Sequence, residues 1–253
     1  MRRLILLLIL SAVFYSFSAA QSAQPTPQPI SITVNPGLEF SFNSIRCLVG
    51  TEKTANTLTA LASRLVLKMD VLEYLSLEVL AGYHYAYAND PLDFATLPLS
   101  LRWDREKFSG LLLGIAASSE PLTVDDFSLK VRGEFTFAME KAKTWEIVLP
   151  TVSGEATGDN AFTLLTLDAL VQYDGLTGAT IFVGPRFNLL HGKFTAGESI
   201  VDLQGQEEIS YRQKNFIGVL GGAVIEIGGN WELHLKASLF ARTELSLAVV
   251  YVF

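Results

Sequence analysis

Three features of the sequence predict an all-β fold, a closed antiparallel up-and-down barrel of about twelve strands, with ten as the alternative count. Apolar and polar side chains alternate with a period of two through most of the chain, as strands with two unlike faces require. The connections between these segments are tight and long by turns. The apolar faces are long and almost free of charge.

The elements follow in chain order. Residues 1–20 begin with Arg2 and Arg3, run through apolar Leu4 to Leu10 and end on Ser18-x-Ala20. A basic start, a short apolar core and small residues before the cut mark a secretory signal peptide, with cleavage expected near Ala20. That apolar run is shorter than the roughly 20 residues a spanning helix needs. Residues 21–35 read as a Pro-rich, extended periplasmic leader. Residues 36–253 hold the barrel.

The first segment, near 37–49, changes parity after Phe42, which predicts a bulge or an early end. Leu61, Leu65, Leu67 and Met69 oppose Arg64 and Lys68, although Thr57 to Met69 also fits helical spacing. From Leu75 to Tyr87 seven odd-numbered residues share one face, against Glu78 and His84 on the other. Leu97, Leu99, Leu101 and Trp103 oppose Ser100 and Arg102. Phe127 to Phe137 opposes Lys130, Arg132 and Glu134, and Trp145 to Leu149 opposes Glu146. Leu165 to Tyr173 opposes Asp168, Ile181 to Leu189 opposes Arg186, and Leu233 to Leu239 opposes His234 and Lys236. Further segments lie near 107–118, 214–227, where Glu226 faces inward, and 244–253. Pro98 and Pro185 fall inside segments and predict bulges.

Tight connections are expected at Val71–Glu73, Asp104–Glu106, Lys141–Lys143, Asp174–Leu176 and Gly228–Asn230. Longer ones are expected at 50–57, 88–93, 118–125, 150–161 and 190–213. Segments of 10 to 14 residues exceed the usual strand length and match the 9–11 or so that a tilted crossing of hydrocarbon needs. Trp103, Trp145, Trp231 and Tyr173 gather near tight turns, with Tyr85 and Tyr87 at the opposite end, as aromatic girdles do. A backbone in hydrocarbon must pair all its polar groups, so the sheet must close into a transmembrane β-barrel. The last strand is expected to meet the segment near Leu38.

The signal peptide, the alternation, the girdle and the terminal Leu245, Leu247, Val249, Tyr251 and Phe253 resemble a bacterial outer-membrane β-barrel protein. The likeness is to porin-like and OmpA-like architecture rather than to one subfamily. It implies residence in the outer membrane and contact with its lipid and lipopolysaccharide. It also implies that the terminal residues act as the signal read by the barrel-assembly machinery.

Composition excludes several classes. Of 19 basic residues, removing Arg2 and Arg3 leaves 17 against 26 acidic ones, a net charge of −9. Such a chain is a poor nucleic-acid ligand. Cys47 is the sole cysteine, so no internal disulfide forms, and it reads as a small buried residue. One Cys and three His give no metal cluster, and no phosphate loop or other cofactor motif is present.

The inward face carries Arg64, Lys68, Glu78, His84, Arg102, Lys130, Arg132, Glu134, Asp168, Arg186, Glu226 and Lys236. Charges at membrane depth line a wet lumen or pair with one another. The first reading is therefore a passive channel, a small porin for small solutes, with the 190–213 loop folding inward to constrict it. The alternative is a non-conducting structural or surface-interaction barrel with acidic outer loops. A barrel enzyme is the third, but no nucleophile elbow or His-x-Ser motif accompanies His84, His191 or His234. No catalytic role is expected. The sequence leaves the oligomeric state and the solute open.

Overall fold

The computed structural model describes residues 32–72, 74–97, 101–148, 153–200 and 203–253. The signal peptide, the leader up to residue 31 and Pro98 lie outside them. The strands are β1 (Thr33–Val49), β2 (Thr54–Leu72), β3 (Leu75–Ala88), β4 (Leu92–Phe94), β5 (Leu101–Trp103), β6 (Phe108–Val124) and β7 (Phe127–Glu140). They continue as β8 (Lys143–Val148), β9 (Ser153–Leu176), β10 (Ala179–Ile200), β11 (Leu203–Gln213), β12 (Ile217–Glu226), β13 (Trp231–Leu239) and β14 (Thr243–Tyr251).

Twelve of these form one antiparallel sheet, and β4 and β5 pair apart from it. Ten close into a ring, β1-β2-β3-β6-β7-β9-β10-β12-β13-β14, and β14 returns to β1. The expected seam is present, with Leu38 opposite Val249 and Phe42 opposite Leu245. The exterior is apolar along the full belt. Leu65 is 61% exposed and Ile115 62%, side by side with many others of their kind. So continuous an apolar surface is stable only against hydrocarbon, and the chain is a transmembrane β-barrel.

The ring is not uniform along its axis. The start of β1, the end of β14 and the short turns, such as Asp125–Asp126 and Thr177–Gly178, lie at one end. At the other end, that of the long hairpins, β10 leaves β12 at Phe187 and pairs with β11 from His191 onward. Likewise β1 leaves β14 after Ser44 and pairs with β11 at Cys47 to Val49. One strand thus replaces three, and the ring falls from ten strands to eight. The β13–β14 hairpin ends at mid-height, where Ala241 O accepts a hydrogen bond from Gln213 Nε2 at 2.9 Å.

Several expectations need correction. β1 has no bulge: its register with β2 runs unbroken for all 17 residues. Its parity changes because the interior does, polar around Glu39 and apolar around Ile45, Cys47 and Val49. Residues 33–35, assigned to the leader, already belong to β1. The 57–69 stretch is strand rather than helix. Pro185 makes no bulge, since β10 keeps one register with β9 from Ile181 to Ile200. The 190–213 stretch is not a constricting loop but an extension of the wall, β10 pairing with β11 residue by residue.

The described parts of the 97–103 and 144–152 segments, β5 and β8, do not cross the membrane. Among the described residues β5 pairs only with β4, and β8 pairs only with the first residues of β9, both at the long-hairpin end. Counting them as crossings puts 104–106, 118–125 and 141–143 at the wrong ends. The second miscount cancels the first, so orientation is correct again from β9 onward. The expected turn at Asp174–Leu176 falls instead at Thr177–Gly178.

Candidate functional site

The lumen is filled in three layers, and strand alternation aims each residue into them. At the short-turn end lies a partly solvated vestibule. Lys68 meets Asp70 at 3.0 Å and Lys130 meets Glu120 at 3.3 Å, while Glu226 is exposed at the rim. His234 pairs with Glu232 at 2.8 Å.

The middle layer is ionic. Arg64 on β2 bonds Glu39 on β1 at 2.6 Å and reaches across to Glu134 on β7 at 2.7 Å. Arg132 on β7 holds the other oxygen of Glu134 at 2.6 Å and reaches Glu78 on β3 at 2.7 Å. Arg186 on β10 grips Asp168 with two bonds, 2.7 and 2.8 Å, and also contacts Glu244, which Arg242 contacts in turn. Lys236 completes the set against Glu39 at 3.4 Å. Five cations thus neutralise five carboxylates. Buried charges persist only when paired and hydrogen-bonded in this way. Gly82 lets β3 pass close to β2 beside Arg64, because a Cβ there would lie 2.2 Å from Ser63 O and 2.7 Å from the Arg64 Cβ.

The third layer, inside the narrow eight-stranded end, is apolar. An eight-stranded ring is just wide enough for side chains to fill. Ile45, Cys47, Leu58, Phe108, Phe162, Leu190 and Phe194 enter from the wall. The β4–β5 segment folds in from above and adds Leu92, Phe94, Leu97 and Trp103. Trp103 lies 4.3 Å from Phe94, 5.1 Å from Phe108 and 5.7 Å from Trp145, ring centre to ring centre. One buried polar chain runs through this layer. His84 bonds Glu140 at 2.8 Å, Asn160 donates to Glu140 at 3.0 Å, and Tyr211 donates to Asn160 at 2.7 Å. Between the ionic and apolar layers is a cavity of about 40 Å³, bounded by Arg64, His84, Phe162 and Glu244.

Of the twelve lumen residues expected, seven meet in the ionic layer: Arg64, Glu78, Arg132, Glu134, Asp168, Arg186 and Lys236. Lys68, Lys130 and Glu226 line the vestibule, and His84 lies in the apolar layer. Arg102 is a correction: it sits on β5, 67% exposed and 3.7 Å from Asp93. Trp103 and Trp145 are corrections to the girdle, since both pack inside the mouth at the opposite end. Their alternation is genuine, but it fits a plug as well as a membrane face. At the short-turn end Trp231, Tyr251 and Phe253 lie together, with centroids 5.0 and 4.7 Å apart, and Tyr173 lies against Phe127. Tyr85 and Tyr87 lie on the outer face toward the other end, joined by Tyr83. Leu245, Leu247, Val249 and Tyr251 face outward along β14, and Phe253 donates its N–H to Asn35.

Glu39, Glu140 and Arg242 were missed. Glu39 lies between Leu38 and Phe40, so alternation alone marks it as inward. Arg242 sits at a hairpin tip and carries no such signal.

No family model matches the chain, and no curated protein sequence matches it. Similar solved structures exist. The outer membrane protease OmpT from Escherichia coli matches with a TM-score of 0.54 at 7% identity, over 90% of this chain and 99% of that one. The translocator domain of the autotransporter NalP from Neisseria meningitidis matches with a TM-score of 0.47 at 12% identity, over 96% and 95%. The fold of this chain is that of a bacterial outer-membrane β-barrel.

Proposed function

We propose that this protein is a non-conducting outer-membrane barrel whose interior is structural and whose work is done at its surface. The carrying observation is the filled lumen: a charge-neutral ionic layer below an apolar plug, with about 40 Å³ between them. An ion-selective pore uses rings of one sign and a wetted path, whereas here each central cation has a carboxylate within reach. Barrels of 16–18 strands leave an aqueous channel, whereas an interior of about eight is filled by side chains, and this ring narrows to eight. The short turns face the periplasm in this reading, as in bacterial barrels generally. The barrel-assembly machinery inserts the protein, and no catalytic step is assigned.

Reconstitution in planar bilayers tests the reading. Purified protein should give no discrete current steps in either polarity. Reproducible steps in independent preparations, absent from mock preparations, would restore the passive-channel reading.

A further inference from the structure

The outer wall carries a basic cluster that the barrel itself does not balance. Where β11 replaces three strands, Lys214 N–H donates to Arg46 O at 2.9 Å, and Arg212 stands opposite Leu48. Cys47, Tyr211 and Gln213 are buried inside, so Arg46, Arg212 and Lys214 project outward, and all three are exposed. His191 is the neighbour of Arg212 on β10. Like charges directly opposed across strands repel. The neighbours on β2 are Ala55 and Thr57, and neither is acidic. Among the described residues no carboxylate lies within 4.0 Å of the three cations. Glu208, higher on the wall, is engaged by Lys193 at 2.6 Å, a bond that raises the Lys193 pKa.

The height of the cluster is informative. Outward residues below it on β1 are Ser44, Phe42, Phe40 and Leu38, so the cations stand where the apolar belt ends. Directly beneath, on the same wall, is an apolar groove of about 830 Å³ between Phe42, Leu61, Tyr85, Gly221, Leu235 and Leu245. Small inward residues, Ser41, Ala62, Gly222 and Ser246, form part of its floor. Phe240, 76% exposed at the tip of the short hairpin, stands between the groove and the cations. Cations above an apolar groove at a membrane boundary match a molecule with anionic phosphate at one end and hydrocarbon at the other.

We infer that this wall is a binding site for a phosphorylated, acylated lipid of the outer leaflet, its phosphate on Arg46, Arg212 and Lys214 and its acyl chain in the groove. The site is independent of the lumen, so bilayer currents would sink the closed-barrel reading and leave this one standing.

The test uses full-length protein in phosphatidylcholine nanodiscs doped with lipid A, followed by mass spectrometry of lipid retained on the purified barrel. Native protein should retain lipid A. The triple variant Arg46→Gln, Arg212→Gln, Lys214→Gln should retain at least roughly tenfold less, the order expected from losing three cations near a membrane surface. A second arm needs no variant: native protein should retain lipid A over its fully dephosphorylated form by a similar factor. Equal retention of the two lipids, or by native and triple variant, overturns the proposal. A third arm fills the groove with Gly221→Phe and Ala237→Phe. Reduced retention supports the acyl seat. Undiminished retention that excess inorganic phosphate abolishes would make this a site for free phosphate, and would overturn the lipid reading.

Discussion

Arg64 and Glu134 meet across the lumen at 2.7 Å, although β2 and β7 are separated by two strands in the ring. The bond ties one wall to another, and Arg186 with Glu244 repeats the pattern between β10 and β14. Such ties hold the barrel narrow and explain why so little space remains inside.

Arg64→Met removes the cation shared by Glu39 and Glu134 and leaves both carboxylates buried. The expected loss is about 3–5 kcal/mol. Urea unfolding of the folded barrel, followed by tryptophan fluorescence, measures it. Glu39 keeps Lys236 and Glu134 keeps Arg132, so adding Glu39→Gln alone, which restores four cations against four carboxylates, should recover part of that loss.

Gly158→Val strikes the plug. A Cβ at Gly158 would lie 2.4 Å from the Trp103 ring and 2.9 Å from Trp145. Overpacking of this kind costs about 1–3 kcal/mol. Displaced tryptophans should shift fluorescence to longer wavelength, and proteolysis should quicken around residues 95–105. An unchanged spectrum would contradict the packing described.

Removing the β4–β5 segment alone should leave the barrel closed. The wall residues Leu112, Phe162, Leu164 and Leu190 and the ionic layer remain in place below it. A variant with residues 91–104 replaced by a short Gly-Ser linker should give no bilayer current. Steady currents from it would make that segment the sole seal.

Cys47 is 1% exposed and points into the plug. In folded protein a maleimide should not label it, and in urea it should label fully, read as a mass shift. Labelling of folded protein would mean that β1 bulges after Phe42 and turns Cys47 outward.

Period-two alternation determined the class of fold, the outward belt and most of the ionic layer, and the need to pair every backbone group in hydrocarbon added the β1–β14 seam. That pattern is local, set by a backbone that turns each side chain to the opposite face of its neighbour. Glu39, Arg132 and Asp168 are inward for this reason alone. The tertiary structure decided what lies on the inner side. An apolar face fits hydrocarbon outside or a plug inside equally well, so Trp103 and Trp145 read as girdle until chain closure placed them within the mouth. The same holds for Ile45 and Cys47, where a change of interior mimics a bulge. Closure also decided the drop from ten strands to eight and the meeting of Arg46 with Lys214, residues 168 positions apart in the chain. Such contacts depend on which strands are neighbours, and alternation within one strand carries no record of that.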